Sequence, residues 1–154
     1  MASLNTFLVA VEMAERQRDA ARQLLQDARQ ARHAAQQQLD QLSGYARETQ
    51  GRWGMRADAD VKPEVMYHHY QFMDRLSHAI GLQSGAVGDQ DGRVQAAAQA
   101  LLQAELRVAS LKKVVEKRRR DMEQAQSRRD QKQTDERASL QFRNAAGGPL
   151  GQEF

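Results

Sequence analysis

With 154 residues, 40% hydrophobic but only 5% aromatic side chains, and a mean hydropathy of -0.79, the chain has too little large apolar material for a thick globular core. The absence of cysteine excludes disulfide staples and thiolate metal sites, and it fits a reducing compartment. The net charge of +3 is small but uneven: residues 1–50 carry six basic and six acidic side chains, whereas residues 112–137 carry ten and six.

The amino terminus has no basic leader ahead of an apolar core, and Glu12 and Glu15 arrive early, so no cleaved signal is expected. No run approaches the ~20 apolar residues of a membrane span. A cytoplasmic protein without direct membrane insertion is the expectation.

The first element is a long helix over about 4–50. Its apolar series runs Leu4, Phe7, Val11, Ala14, Arg18, Ala21, Leu25, Ala28, Arg32, Ala35, Leu39, Leu42 and Ala46, in alternating steps of three and four. Only Arg18 and Arg32 interrupt it. That spacing over many heptads is the coiled-coil pattern, and Ser3 stands where its hydroxyl can cap the first turn.

An insert with a short helix is predicted over about 51–92. Gly51, Gly54 and the polar run from Arg56 to Lys62 interrupt the pattern, and Pro63 suits a first helical turn. Between Glu64 and Ile80, the residues Tyr67, Tyr70 or Met73, Leu76 and Ile80 recur at helical spacing. Gly81, Gly85, Gly88 and Gly92 then read as a flexible joint.

The second long helix is predicted over about 93–142. Its series is Val94, Ala97, Leu101, Ala104, Val108, Leu111, Val115, Arg118, Met122 and Ala125, and it turns polar through Arg129, Lys132, Glu136 and Ser139. Residues 147–154 read as a flexible tail beyond one coiled-coil domain of residues 1–146. The two series predict an all-α fold, a long antiparallel two-helix hairpin with the short helical insert near its bend. Two registers satisfy the phase. If facing numbers sum to 136, Leu25 meets Leu111 but Arg18 faces Arg118; a sum of 143 relieves that repulsion and sets Val11 against Lys132.

Nothing in the pattern supplies catalytic, cofactor-binding or metal-ligating residues. His33, His68, His69 and His78 lack the spacing of a zinc-hydrolase helix, and the glycine series lacks the Lys-Ser/Thr ending of a phosphate loop. A two-helix rod offers no concave site for acid–base work. The basic run from Lys112 to Arg120 reads as a solvated coiled-coil face or a contact for an acidic protein surface. Nucleic acid is not an expected partner, because no aromatic platform is interleaved and Glu116, Asp121 and Glu123 break the field. Tyr45, Trp53, Tyr67, Tyr70 and Phe72 concentrate near the middle of the chain, either as a cap core closing the hairpin or as an exposed interaction patch.

Three stretches taken in order resemble the flagellar FliJ proteins of the bacterial type III export apparatus. They are Ala14 to Ala21; Leu39, Leu42 and Tyr45 followed by Tyr70, Phe72, Leu76, Ala79 and Ile80; and Arg129 to Lys132 with Asp135 to Ala138. The resemblance implies a non-enzymatic coiled-coil stalk that binds the hexameric export ATPase, promotes its assembly and activity, and couples it to the cytoplasmic domain of the membrane export-gate protein. It also implies contact with export chaperones, and a cytoplasmic location peripherally associated with the inner membrane at the flagellar base. By position, Gln38, Leu42, Tyr45, Phe72, Leu76 and Ala79 would meet the gate, although Thr49 stands where relatives often have an aromatic residue. The ATPase would grip the open end of the rod, where the termini meet, through Leu4, Phe7, Leu8 and Val11 with Arg16, Arg18, Arg129 and Glu136. The alternatives are an export chaperone or escort for flagellar substrates, the matching stalk of a virulence secretion system, and a basic coil that binds nucleic acid.

Overall fold

The computed structural model describes residues 3–56 and 62–147. Two helices account for them: α1, Leu4–Arg56, and α2, Pro63–Gly147. At about 1.5 Å per residue they are ~80 Å and ~128 Å long. The fold is the expected all-α antiparallel helical hairpin, with no strand among the described residues.

Both helix starts follow from their first residues. Ser3 caps α1: its Oγ accepts the Thr6 N–H at 3.3 Å, and its carbonyl accepts the same N–H at 3.0 Å. α2 opens with Pro63, whose missing N–H costs nothing in a first turn, and with Glu64, whose charge suits the positive end of the helix dipole. The Lys62 carbonyl accepts the N–H groups of Val65 and Met66. Along the outer faces, Gln23 donates to Asp27, Gln36 to Asp40, and Arg52 to Glu48, all four residues apart.

The middle of the chain differs from the sequence reading. The short helix over 64–80 and the expected joint are parts of one unbroken helix, and Gly51 also lies inside α1. The reason is visible in the heptad phase. Counting back from Val94 in the same steps gives Gln90, Val87, Gln83, Ile80, Leu76, Met73 and His69, and every one of these is buried or half-buried. The glycines fall between them on the exposed side. The seam therefore continues through the glycine-rich stretch and holds it helical. On α1 the series likewise continues past Ala46 to Thr49 and Trp53. Residues 57–61 and 148–154, which include most of the polar run and the expected tail, lie outside the described residues.

The chain divides into two compact units. Unit 2, residues 15–106, pairs the later part of α1 with the early part of α2. Trp53 stacks on His69, the Tyr45 and Phe72 rings meet edge to face, and Arg32 pairs with Asp91. Leu25, Leu76 and Val87 are its buried apolar residues. Unit 1 pairs the start of α1, up to Ala14, with α2 from Arg107 onward. Ala14, Val108 and Val115 are buried there, and the Arg118 guanidinium lies 4.6 Å from the centre of the Phe7 ring. Each buried Leu or Val contributes about 1.5–3 kcal/mol, and among the described residues no large side chain is fully enclosed, so the helices are held by a thin seam.

These pairs correct the register. Trp53 on His69 makes the facing numbers add to about 122, two heptads short of 136 and three short of 143. Arg118 covers Phe7 instead of confronting Arg18. The shift is the consequence of a continuous α2: at this stagger the stretch from His69 to Gln90 also finds a partner on α1.

Candidate functional site

Two surfaces gather the residues singled out by sequence. The first is in unit 2, where the later part of α1 meets the early part of α2. Tyr45 and Phe72 form a T-shaped pair at 6.0 Å between centroids and 87° between planes, a geometry that sets the positive edge of one ring against the electron-rich face of the other. They remain 51% and 41% exposed. Beside them Leu76 is buried, Leu42 and Ala79 are half-buried, and Gln38 accepts a hydrogen bond from Gln83 Nε2 at 3.2 Å. The six residues assigned to a gate contact thus include a cross-helix ring pair on a packed base.

The five mid-chain aromatics divide between the two roles left open by sequence. Trp53 is half-buried and stacks on the buried His69 ring at 4.0 Å, closing the seam of unit 2. Tyr45, Tyr67, Tyr70 and Phe72 are exposed, with Val65 and Met66 next to them on α2. His69 and Gln83 were missed by sequence reasoning as packing residues. Gln83 donates both to Gln38 and to the Ala35 carbonyl, and the heptad phase running back from Val94 was the signal that would have found both residues.

The second surface is in unit 1. Leu4, Phe7, Leu8 and Val11 are half-buried against α2, and Leu4 lines a groove with Val114, Arg118, Met122 and Ala125. From Arg119 to Ala146, every residue of α2 is exposed. Arg129 and Glu136 belong to this stretch, about 16 and 27 Å along the helix from Arg118. Phe7, against Arg118, is therefore set apart from them, Leu4 reaches as far as Ala125, about a turn short of Arg129, and the start of α1 does not lie level with the end of α2. Arg16 and Arg18 belong to unit 2, where Arg16 is exposed and Arg18 donates to Asp19 at 3.1 Å. Apolar side chains open to solvent on the uncovered stretch are Met122, Leu140 and Phe142, set among charges of both signs.

Electrostatics on this helix are local. Glu116 accepts a hydrogen bond from Arg120 one turn later, and that bond, with the carboxylate's charge, raises the Arg120 pKa further above its ordinary value. The guanidinium stays charged at any pH the protein meets. Among the described residues, no group of three His, Cys, Asp or Glu side chains could hold a metal ion, and no helix is long and apolar enough to cross a membrane. The two surfaces present rings and aliphatic groups on a packed base in unit 2, and an exposed, largely charged stretch of helix in unit 1.

The family profile described as flagellar FliJ protein matches residues 4–147 of the chain. No curated protein and no solved structure matches it.

Proposed function

Because the chain belongs to the flagellar FliJ family, and is thereby a non-catalytic component of the flagellar export apparatus, we propose that it is the stalk that binds the export ATPase hexamer, promotes its assembly and activity, and couples it to the membrane export gate. The observation that carries this reading is the stretch Arg119–Ala146 of α2, ~42 Å of helix with all of its side chains open to solvent. Beyond the groove that Leu4 lines with Met122 and Ala125, the helix presents its whole circumference, which suits it to contact several subunits arranged around it. Seven basic and five acidic residues alternate along that stretch, so subunits of mixed charge can be met without one sign dominating.

In this reading Arg129 and Glu136, together with Met122 and Leu140, meet the ATPase, and Leu4, Phe7, Leu8 and Val11 serve mainly to bind α1 onto α2. Arg16 and Arg18 supply charge further along α1. The exposed Tyr45 and Phe72 pair, with Gln38, Leu42, Leu76 and Ala79, meets the cytoplasmic domain of the gate, and export chaperones approach the same aromatic surface. Such contacts would hold the protein at the cytoplasmic face of the inner membrane, at the flagellar base, without inserting it.

The test is a mixture of purified export ATPase with either the full chain or a chain ending at Asp121. The full chain is expected to stimulate hydrolysis and to shift the ATPase toward hexamers by sizing, and the shortened chain to do neither. Equal stimulation by both would remove the assignment of α2 beyond Arg118. No complex with either would defeat the stalk reading.

A further inference from the structure

Gly81, Gly85, Gly88 and Gly92 fall within twelve residues in the interior of α2, and nothing about their surroundings requires glycine. A Cβ built on any of the four meets nothing within 4 Å, so no close approach of another backbone explains them. None has a positive φ, so no turn or kink explains them either. The property left is backbone freedom: each glycine weakens a helix relative to alanine, and four in three turns add up.

The seam under the same stretch is also its weakest part. Between Gly81 and Gly92 the only buried apolar residue is Val87. The half-buried positions are Gln83, Ala86, Gln90 and Asp91, and of these only the small Ala86 is apolar. Gln83 is held by the Ala35 carbonyl and Gln38, Asp91 by a half-exposed ion pair with Arg32, and the buried Gln90 Oε1 has no hydrogen-bond partner. A buried oxygen without a donor is more stable in water, so opening the helix here relieves a penalty. Low intrinsic helicity and a polar seam thus coincide on one segment, flanked by Leu76 on one side and by Val94 and Ala97 on the other.

We propose that residues 81–92 form a compliant joint in α2, a segment that loses and regains its helical hydrogen bonds while the seam on either side stays paired. Within unit 2 the joint separates the surface around Tyr45 and Phe72 from the seam around Leu25. It lets the aromatic surface tilt to meet or follow a partner without unpairing the rest of the hairpin. The inference stands on the glycines and the seam alone and holds whichever partner that surface binds.

Hydrogen exchange read by mass spectrometry on the full chain tests it, with rates corrected for intrinsic exchange. Amides of 81–92 are expected to exchange at least ~tenfold faster than those of 69–79 and 94–108. Replacing all four glycines, Gly81→Ala, Gly85→Ala, Gly88→Ala and Gly92→Ala, is expected to slow that segment by roughly 100-fold and to change its flanks less than ~threefold. A second variant, Gln83→Leu with Gln90→Leu, is expected to slow the same segment from the seam side. Even exchange along α2 in the unmodified chain would overturn the proposal. So would a glycine variant in which all protected amides of both helices slow together, because the helices would then open only as one cooperative whole.

Discussion

The covered part of α2, from His69 to Arg118, and the uncovered part, from Arg119 to Ala146, belong to one helix and continue one heptad count, yet they meet opposite environments. In the covered part the inward positions are mostly Leu, Val, Ile, Met and Ala, with Gln83 and Gln90 between them and His69 and Arg118 at the two ends, and α1 lies against them. In the uncovered part they begin with Met122 and Ala125 and become Arg129, Lys132, Glu136 and Ser139. A heptad pattern is therefore a statement about helical phase and not about an internal partner. The change in its chemistry falls within a heptad of the point where α1 stops.

The sharpest way to break this comparison is to put a charge at equivalent seam positions on both sides of the boundary. Val108 is 4% exposed and Met122 is 57% exposed on the same helix. Val108→Asp is expected to destabilise unit 1 by about 3–5 kcal/mol, through lost packing and a buried carboxylate, seen as a large drop in the urea or thermal midpoint by circular dichroism. Met122→Asp is expected to change it by less than ~0.5 kcal/mol. Equal losses would mean that α2 is packed beyond Arg118.

A smaller effect separates stability from binding on the covered side. Tyr45→Ala combined with Phe72→Ala is expected to lower hairpin stability by only ~1 kcal/mol for the lost ring pair, while weakening binding to the cytoplasmic domain of the export gate by roughly tenfold or more in calorimetry. Binding that survives the double substitution would detach the gate from this surface. In the opposite direction, Gly44→Ala, at a site where a Cβ meets nothing within 4 Å, is expected to stabilise α1 by about 0.5–1 kcal/mol in the same melts. The smallest effect belongs to Arg32 and Asp91. Both are close to half exposed, so solvent screens the pair, and a double-mutant cycle is expected to return about 0.5 kcal/mol.

Much of the fold was legible because a heptad series can be counted. The α1 seam holds from Leu4 to Ala46 as read and extends to Trp53, and Ser3 and Pro63 open their helices as their chemistry dictates. The helical state of residues 81–92 was not legible because composition there masks the phase. Four glycines look like a linker, and the seam positions among them, Gln83 and Gln90, are polar, so hydrophobic periodicity fades at the place where it was most needed. The register was not legible for a different reason. The inner face of α1 is largely alanine, and sliding such a face by seven residues sets one small apolar side chain where another stood. With the stagger unknown, neither the Trp53 and His69 stack nor the separation of Arg129 and Glu136 from Phe7 could be read. Which of the mid-chain rings turn inward depended on the same unknown.

The polar contacts of the seam carry a consequence larger than their energy. A seam of alanine and leucine permits slippage by whole heptads, whereas Arg32 with Asp91 and Gln83 with the Ala35 carbonyl satisfy one another at a single stagger. One heptad of slip would add or remove seven residues, ~10 Å, of bare α2 beyond the start of α1. A few half-exposed hydrogen bonds thus act as the notch on a ruler: they contribute little to holding the helices together, and they decide how far the free end reaches.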